Sequence, residues 1–183
     1  AYLRTLSNNQ ADWVQLSATG TVESGSHAGW YFDLPKGHTD ENENWVLEGE
    51  RVIKDVMIRD GNLIALTFTP NTSPCTGGGT SMVMEMDACD GSRLESPQFD
   101  IDMNSLVDSG DLIEIPDPDN PSETIFVVPT GKGYDGLLHP PIIVAMPSGA
   151  VEMKIFSSSA GTTERLFENS AGGFFYWEEI KSE

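Results

Sequence analysis

Asp100, Asp102, Asn104, Asp108 and Asp111 place oxygen-bearing side chains at regular short steps, the pattern by which a loop wraps a hard cation. With Asp100 as position 1, Asp102 and Asn104 stand at 3 and 5, the Leu106 main-chain carbonyl is available at 7, and Asp108 and Asp111 follow at 9 and 12. Ca²⁺ takes about six to eight oxygen ligands at roughly 2.3–2.6 Å, so only a tight coil brings enough of them to one centre. The spacing therefore predicts a calcium site made of Asp100, Asp102, Asn104, Leu106, Asp108 and Asp111. Phe99 and Val107 are apolar in a polar segment and are expected to pin the coil to a core. Two features depart from an EF-hand: Ser105 stands where the sharp turn favours Gly, and Asp111 is shorter than the bidentate Glu. The rival reading is an acidic surface loop with coincidental spacing.

The elements that must position this coil read as strands. Short apolar or alternating runs separated by turn residues fill the sequence, and sustained 3.6-residue periodicity is missing. The expected class is all-β, an antiparallel meander over residues 1–183 as one domain. Val52 to Ile58 and Leu63 to Thr69 flank Asp60-Gly61-Asn62, a hairpin signal. Ile64, Leu66 and Phe68 share one face and Ala65 and Thr67 the other, with no charge on either, so this strand is expected to be covered on both sides. Met82, Met84 and Met86 alternate with Val83, Glu85 and Asp87, which predicts a methionine core face and a wet reverse face. From Cys89 to Glu123 the chain turns to Gly, Pro, Ser, Asp and Asn, a long irregular excursion that holds the acidic coil and then Asp117-Pro118-Asp119-Asn120-Pro121. Strand signals resume at Thr124 to Val128, Pro141 to Met146, Val151 to Phe156 and Phe174 to Ile180, with Pro147-Ser148-Gly149 as a turn. Such a meander needs sheets against both faces, as in propeller blades or a sandwich, although no repeat at a period of about 40 to 50 residues is visible.

Charge narrows the function. Twenty-nine acidic against ten basic residues give a formal net charge of -19, which opposes any nucleic-acid or anionic-membrane surface. No apolar run approaches the roughly 20 residues of a membrane span, and the first residues lack a charged n-region followed by an apolar h-region. Ala1 rather than Met, set in strand-like sequence, predicts a processed or fragmentary chain. Cys75 and Cys89 lack a neighbouring His, which argues against zinc and leaves a disulfide that closes only if Thr76 to Thr80 doubles back along the following strand. No Gly-x-Ser-x-Gly elbow occurs, His27, His38 and His139 are isolated, and Gly131-Lys132 lacks the rest of a phosphate loop. No pair of carboxylates is singled out for glycoside hydrolysis. The chain is expected not to be an enzyme.

Read end to end, the sequence resembles the C-terminal region of the PilY1 family of type IV pilus-associated proteins. The likeness runs through Tyr2-Leu3-Arg4-Thr5-Leu6-Ser7-Asn8-Asn9 with Asp12-Trp13, then Gly29-Trp30-Tyr31-Phe32-Asp33-Leu34-Pro35 and Glu48-Gly49-Glu50-Arg51-Val52. It continues with Pro74-Cys75, Gly77-Gly78-Gly79-Thr80-Ser81, Glu85-Met86-Asp87-Ala88 before Asp90-Gly91, and Trp177-Glu178-Glu179-Ile180. The resemblance implies a partial or modified β-propeller cut from a longer protein. It implies a calcium loop at Asp100, Asp102, Asn104, Asp108 and the Leu106 carbonyl, with Asp111 as an extra ligand. It also implies a place at the pilus tip and outer cell surface, where the family assembles with minor pilins, influences extension and retraction under calcium control, and contributes to adhesion on host or abiotic surfaces.

The expected function is thus a calcium-binding, non-enzymatic segment acting in pilus biogenesis, retraction control and surface adhesion. One alternative is a structural subunit of an extracellular filament that self-associates through open β edges. Another is a carbohydrate-active or carbohydrate-binding domain that stacks sugars on Trp30, Tyr31 and Trp45, although aromatics in such a chain more often serve as core.

Overall fold

In a computed structural model, residues 3–6, 12–15, 27–34, 36–71, 78–147 and 151–170 are described. The readings at Cys75, at Ser148-Gly149 and at 174–180 lie outside them. In chain order the strands are β1 (Leu3–Arg4), β2 (Asp12–Gln15), β3 (His27–Tyr31), β4 (Gly37–Thr39), β5 (Trp45–Leu47), β6 (Arg51–Val52), β7 (Met57–Arg59), β8 (Asn62–Pro70) and β9 (Gly79–Asp87). A 3₁₀ turn at Ser109–Asp111 precedes β10 (Ile113–Pro116), β11 (Thr124–Val127), β12 (Gly131–Asp135), β13 (Ile142–Ala145), β14 (Val151–Ser157) and β15 (Thr163–Asn169). All pairings are antiparallel, as the alternating pattern predicts.

The centre is a six-stranded sheet in the order β1-β12-β9-β8-β6, with β7 also on β8. Its hairpin turns at Asp60 and Gly61, whose φ of 54° and 87° give the left-handed backbone that a two-residue turn demands. The run Val52 to Ile58 is not one strand. Val52 pairs with Thr67 and Met57 with Ile64, so four residues stand opposite two, and the surplus bulges out of the ladder with Ile53 and Val56 exposed.

Strand β8 is covered on both faces: Ile64, Ala65, Leu66 and Thr67 are all 5% exposed or less. On one side Ala65, Met82, Met84 and Met86 pack with Leu6, Trp30, Phe32 and Leu34, the expected methionine face. On the other, Ile64, Leu66 and Val83 meet Phe99, Leu138, Phe156 and Leu166. The wet face predicted for Val83 and Glu85 is therefore incorrect. A three-stranded sheet, β13-β14-β15, covers it, and both residues are buried. Arg4 ties β1 to Glu50 through bonds of 2.9 and 2.7 Å, and Glu50 also accepts from Thr67 Oγ1.

Within the long excursion, β10 and β11 form a hairpin with Asp117 to Pro121 at its exposed tip, closed by Asp117 N–H to Glu123 O at 2.9 Å. The acidic coil lies just before this hairpin, between Phe99 and the 3₁₀ turn.

Candidate metal centre

Phe99 fixes where the coil begins. Its side chain is fully buried in the inter-sheet core, its backbone bridges to Glu168 of β15, and the next N–H, from Asp100, donates to Phe167 O at 3.0 Å. Ile101 also packs against this core, a contact that the alternation did not single out, whereas Val107 is half-buried. With the entry held, the polar residues have to curl outward. Met103 and Ser105 take φ of 62° and 66°, left-handed values that side chains adopt reluctantly. Ser105 is the residue that stands at the sharp turn in the calcium pattern, so the backbone there does what the spacing demands.

The curl turns carboxylates toward main-chain N–H groups. Asp100 accepts from Asn104 N at 3.2 Å and Ser105 N at 2.9 Å, and Asp102 accepts from Asn104 N at 3.0 Å and Asn104 Nδ2 at 2.9 Å. Asp111 reaches back across the coil to Ile101 N at 2.6 Å and Asp108 N at 2.9 Å. Asp108 caps the 3₁₀ turn by accepting from Gly110 N at 2.7 Å, and Asn104 Oδ1 accepts from Leu106 N at 2.7 Å.

Asp100, Asp102 and Asp111 are brought together: one carboxylate oxygen from each lies within 4.8 Å of the others. Asp100 is 2% and Asp111 1% exposed, while Asp102 faces solvent. Asp111, the extra candidate of the sequence reading, is thus one of the three that converge. Asp108 and Asn104 stand beside the three, with one oxygen of each engaged in a turn bond. A Cβ placed on Gly110 would lie 3.1 Å from Asp108 Oδ1 and 3.4 Å from Asp102 Oδ2, so the lack of a side chain there keeps room beside both. The Leu106 side chain is exposed.

Lys132 was missed by the motif reading, which had weighed Gly131-Lys132 only as a phosphate loop. Buried on β12, it donates from Nζ to Asp100 O at 3.0 Å and braces the coil against the central sheet. Burial pushes its pKa down, opposed by the nearby charges of Asp100 and Asp111. A lysine between two glycines gives no sequence signal of this role.

The other candidate residues separate. Cys89 is exposed and its N–H donates to Asp87 at 2.7 Å, whereas Cys75, its candidate disulfide partner, lies outside the described residues. Trp30 is core: it stacks on Phe32 with centroids 5.8 Å apart and donates from Nε1 to Ala88 O. Tyr31 and Trp45 are exposed. No described helix is long and apolar enough to cross a membrane.

No family model matches the chain, and no solved structure matches it. Among curated proteins it is similar to the type IV pilus biogenesis factor PilY1 of Pseudomonas aeruginosa strain UCBPP-PA14, 32% identical over 109 residues, a match covering 59% of this chain and 9% of that protein. The PilY1 of strain PAK is 32% identical over 108 residues, covering 58% of this chain and 8% of the relative. The chain therefore corresponds to a small part of the relatives it matches.

Proposed function

From this PilY1-family relationship we propose that the chain is a calcium-binding, non-catalytic part of a type IV pilus biogenesis protein, displayed at the pilus tip or outer cell surface. Its stacked antiparallel sheets would form part of a propeller-like body, and its partners would be minor pilins and the surface to which the pilus attaches.

The observation that carries the calcium reading is the buried acidic cluster. Asp100 and Asp111 sit 2% and 1% exposed with main-chain N–H groups as their hydrogen-bond partners. Neutral donors do not cancel charge, and Lys132 is one cation against three carboxylates, so net negative charge remains, and carboxylate oxygens with spare lone pairs suit a hard divalent ion. Asp100, Asp102 and Asp111 would hold it, joined by Asn104, Asp108 and the Leu106 carbonyl. The ion would supply positive charge that locks the coil to β12 and β15, so that binding stabilises the fold.

Thermal melts in Ca²⁺, Mg²⁺ and chelator test this. At a calcium concentration 100 times the Kd the parent should gain about 2.7 kcal/mol, and Asp111→Ala should gain nothing. A parent whose melting ignores calcium overturns the metal assignment. Co-purification with minor pilins in chelator and in calcium tests the pilus assignment separately.

A further inference from the structure

The interior between the two larger sheets holds a buried group of charged side chains separate from the acidic coil. Lys154 on β14 and Glu168 on β15 both point into it: Phe156 follows Lys154 on the same face, Leu166 pairs with Lys154, and Phe99 bridges to Glu168. Lys154 is 1% and Glu168 2% exposed, and the lysine Nζ contacts Glu168 Oε2 directly. Across the sheet interface, Glu85 Oε2 lies 3.7 Å from the same nitrogen. Arg59 cannot serve these acids, because its guanidinium is engaged with Glu152 at 2.8 and 2.5 Å. Two buried oxygens, Glu85 Oε2 and Glu168 Oε1, have no hydrogen-bond partner among the described residues. One buried lysine thus faces two buried carboxylates that its hydrogen bonds leave incompletely satisfied, an expensive arrangement for a purely ionic contact.

We propose that Lys154 and Glu168 condense into an intramolecular amide that cross-links β14 to β15, with Glu85 as the proton carrier. The Nζ lone pair forms the N–C bond to Glu168 Cδ, one Cδ–O bond breaks, and that oxygen leaves as water. The two protons it carries away come from the lysine ammonium, the first relayed by Glu85, which ends in the state in which it began. No oxidant or cofactor is needed. Contact geometry replaces a bimolecular encounter, for which effective molarities reach about 10⁵–10⁸ M, and the dry apolar surroundings disfavour the reverse hydrolysis. Burial shifts both participants in the useful sense: it pushes Lys154 down toward the neutral amine, opposed by Glu85 and Glu152, and pushes Glu85 up toward the protonated acid, opposed by Lys154 and Asn62. An ion pair needs none of this acid–base poise, whereas condensation does.

Intact-mass measurement of the whole denatured chain tests the proposal directly. The expected mass is lighter than the sequence by one water molecule, and lysine-specific digestion should fail at Lys154 and yield a branched peptide containing both residues. Lys154→Met should show the full sequence mass, and Glu85→Gln should accumulate the unlinked form. A parent chain of full mass cleaved normally at Lys154 overturns the cross-link, as does a water deficit mapping elsewhere. Glu85→Gln cross-linked as completely and as fast as the parent overturns the role given to Glu85.

Discussion

The acidic coil and the inter-sheet charge cluster each gather three carboxylates: Asp100, Asp102 and Asp111 in one, Glu85, Glu152 and Glu168 in the other. They satisfy them by opposite means. In the coil, main-chain N–H groups are the principal donors; between the sheets, Arg59 and, in the unlinked chain, the Lys154 ammonium bring positive charge. An N–H group orients a carboxylate without cancelling its charge, whereas an ammonium does both. The coil therefore keeps net negative charge at the surface, whereas the cluster meets its charge inside the fold.

The largest effect should come from breaking the closed region. Lys154→Met strands Glu85 and Glu168 in the core and should cost about 3–5 kcal/mol in urea unfolding. Asp111→Ala, measured in chelator, should cost less, about 1–3 kcal/mol, because it orphans N–H groups of Ile101 and Asp108 at a solvent-facing coil. If the two variants cost the same, the contrast between a charge-closed and an N–H-closed site fails.

A pH series sharpens the comparison further. Burial raises the Glu85 pKa above its ordinary 4.5, so the folded chain holds this proton more tightly than the unfolded one. The contribution is complete below that ordinary value and fades as pH climbs through the raised one. Glu85→Gln should remove this fading, gaining on the parent as pH rises from acid toward neutral; a constant difference between the two would contradict the burial effect. The smallest change is expected at the coil, where Ser105→Gly relieves a left-handed φ of 66° and should add about 1 kcal/mol. No gain there would mean that the serine is not strained.

What the sequence disclosed follows from how local each signal is. Asp60-Gly61 encodes its own turn, and the methionine alternation its own face, so both were legible. The coil was legible because its acidic pattern is confined to a dozen residues, yet the approach of Asp111 to Asp100 and Asp102 depends on a backbone reversal that spacing does not specify. Strand β12 stayed hidden because Gly131 and Gly133 dilute its pattern. A Cβ on Gly131 would lie 2.8 Å from Met82 Sδ, so the glycine answers to a neighbouring strand and not to its own. Strand β15 was passed over because Thr163 to Asn169 mixes charges with apolar residues, and only the covering sheet shows why Glu168 faces inward. Glu85 was misread as wet for the same reason: an isolated alternation cannot tell solvent from a buried cation.

The backbone bridge between Phe99 and Glu168 gives β15 two attachments of different kinds. Along one edge it holds β14 through seven paired positions, and on the other it holds the residue immediately preceding Asp100. A tug that peels β15 away must also unwind the start of the coil. A cation seated there would act as a clamp on that strand, so local ion concentration would set how much tension this edge of the molecule withstands before it opens.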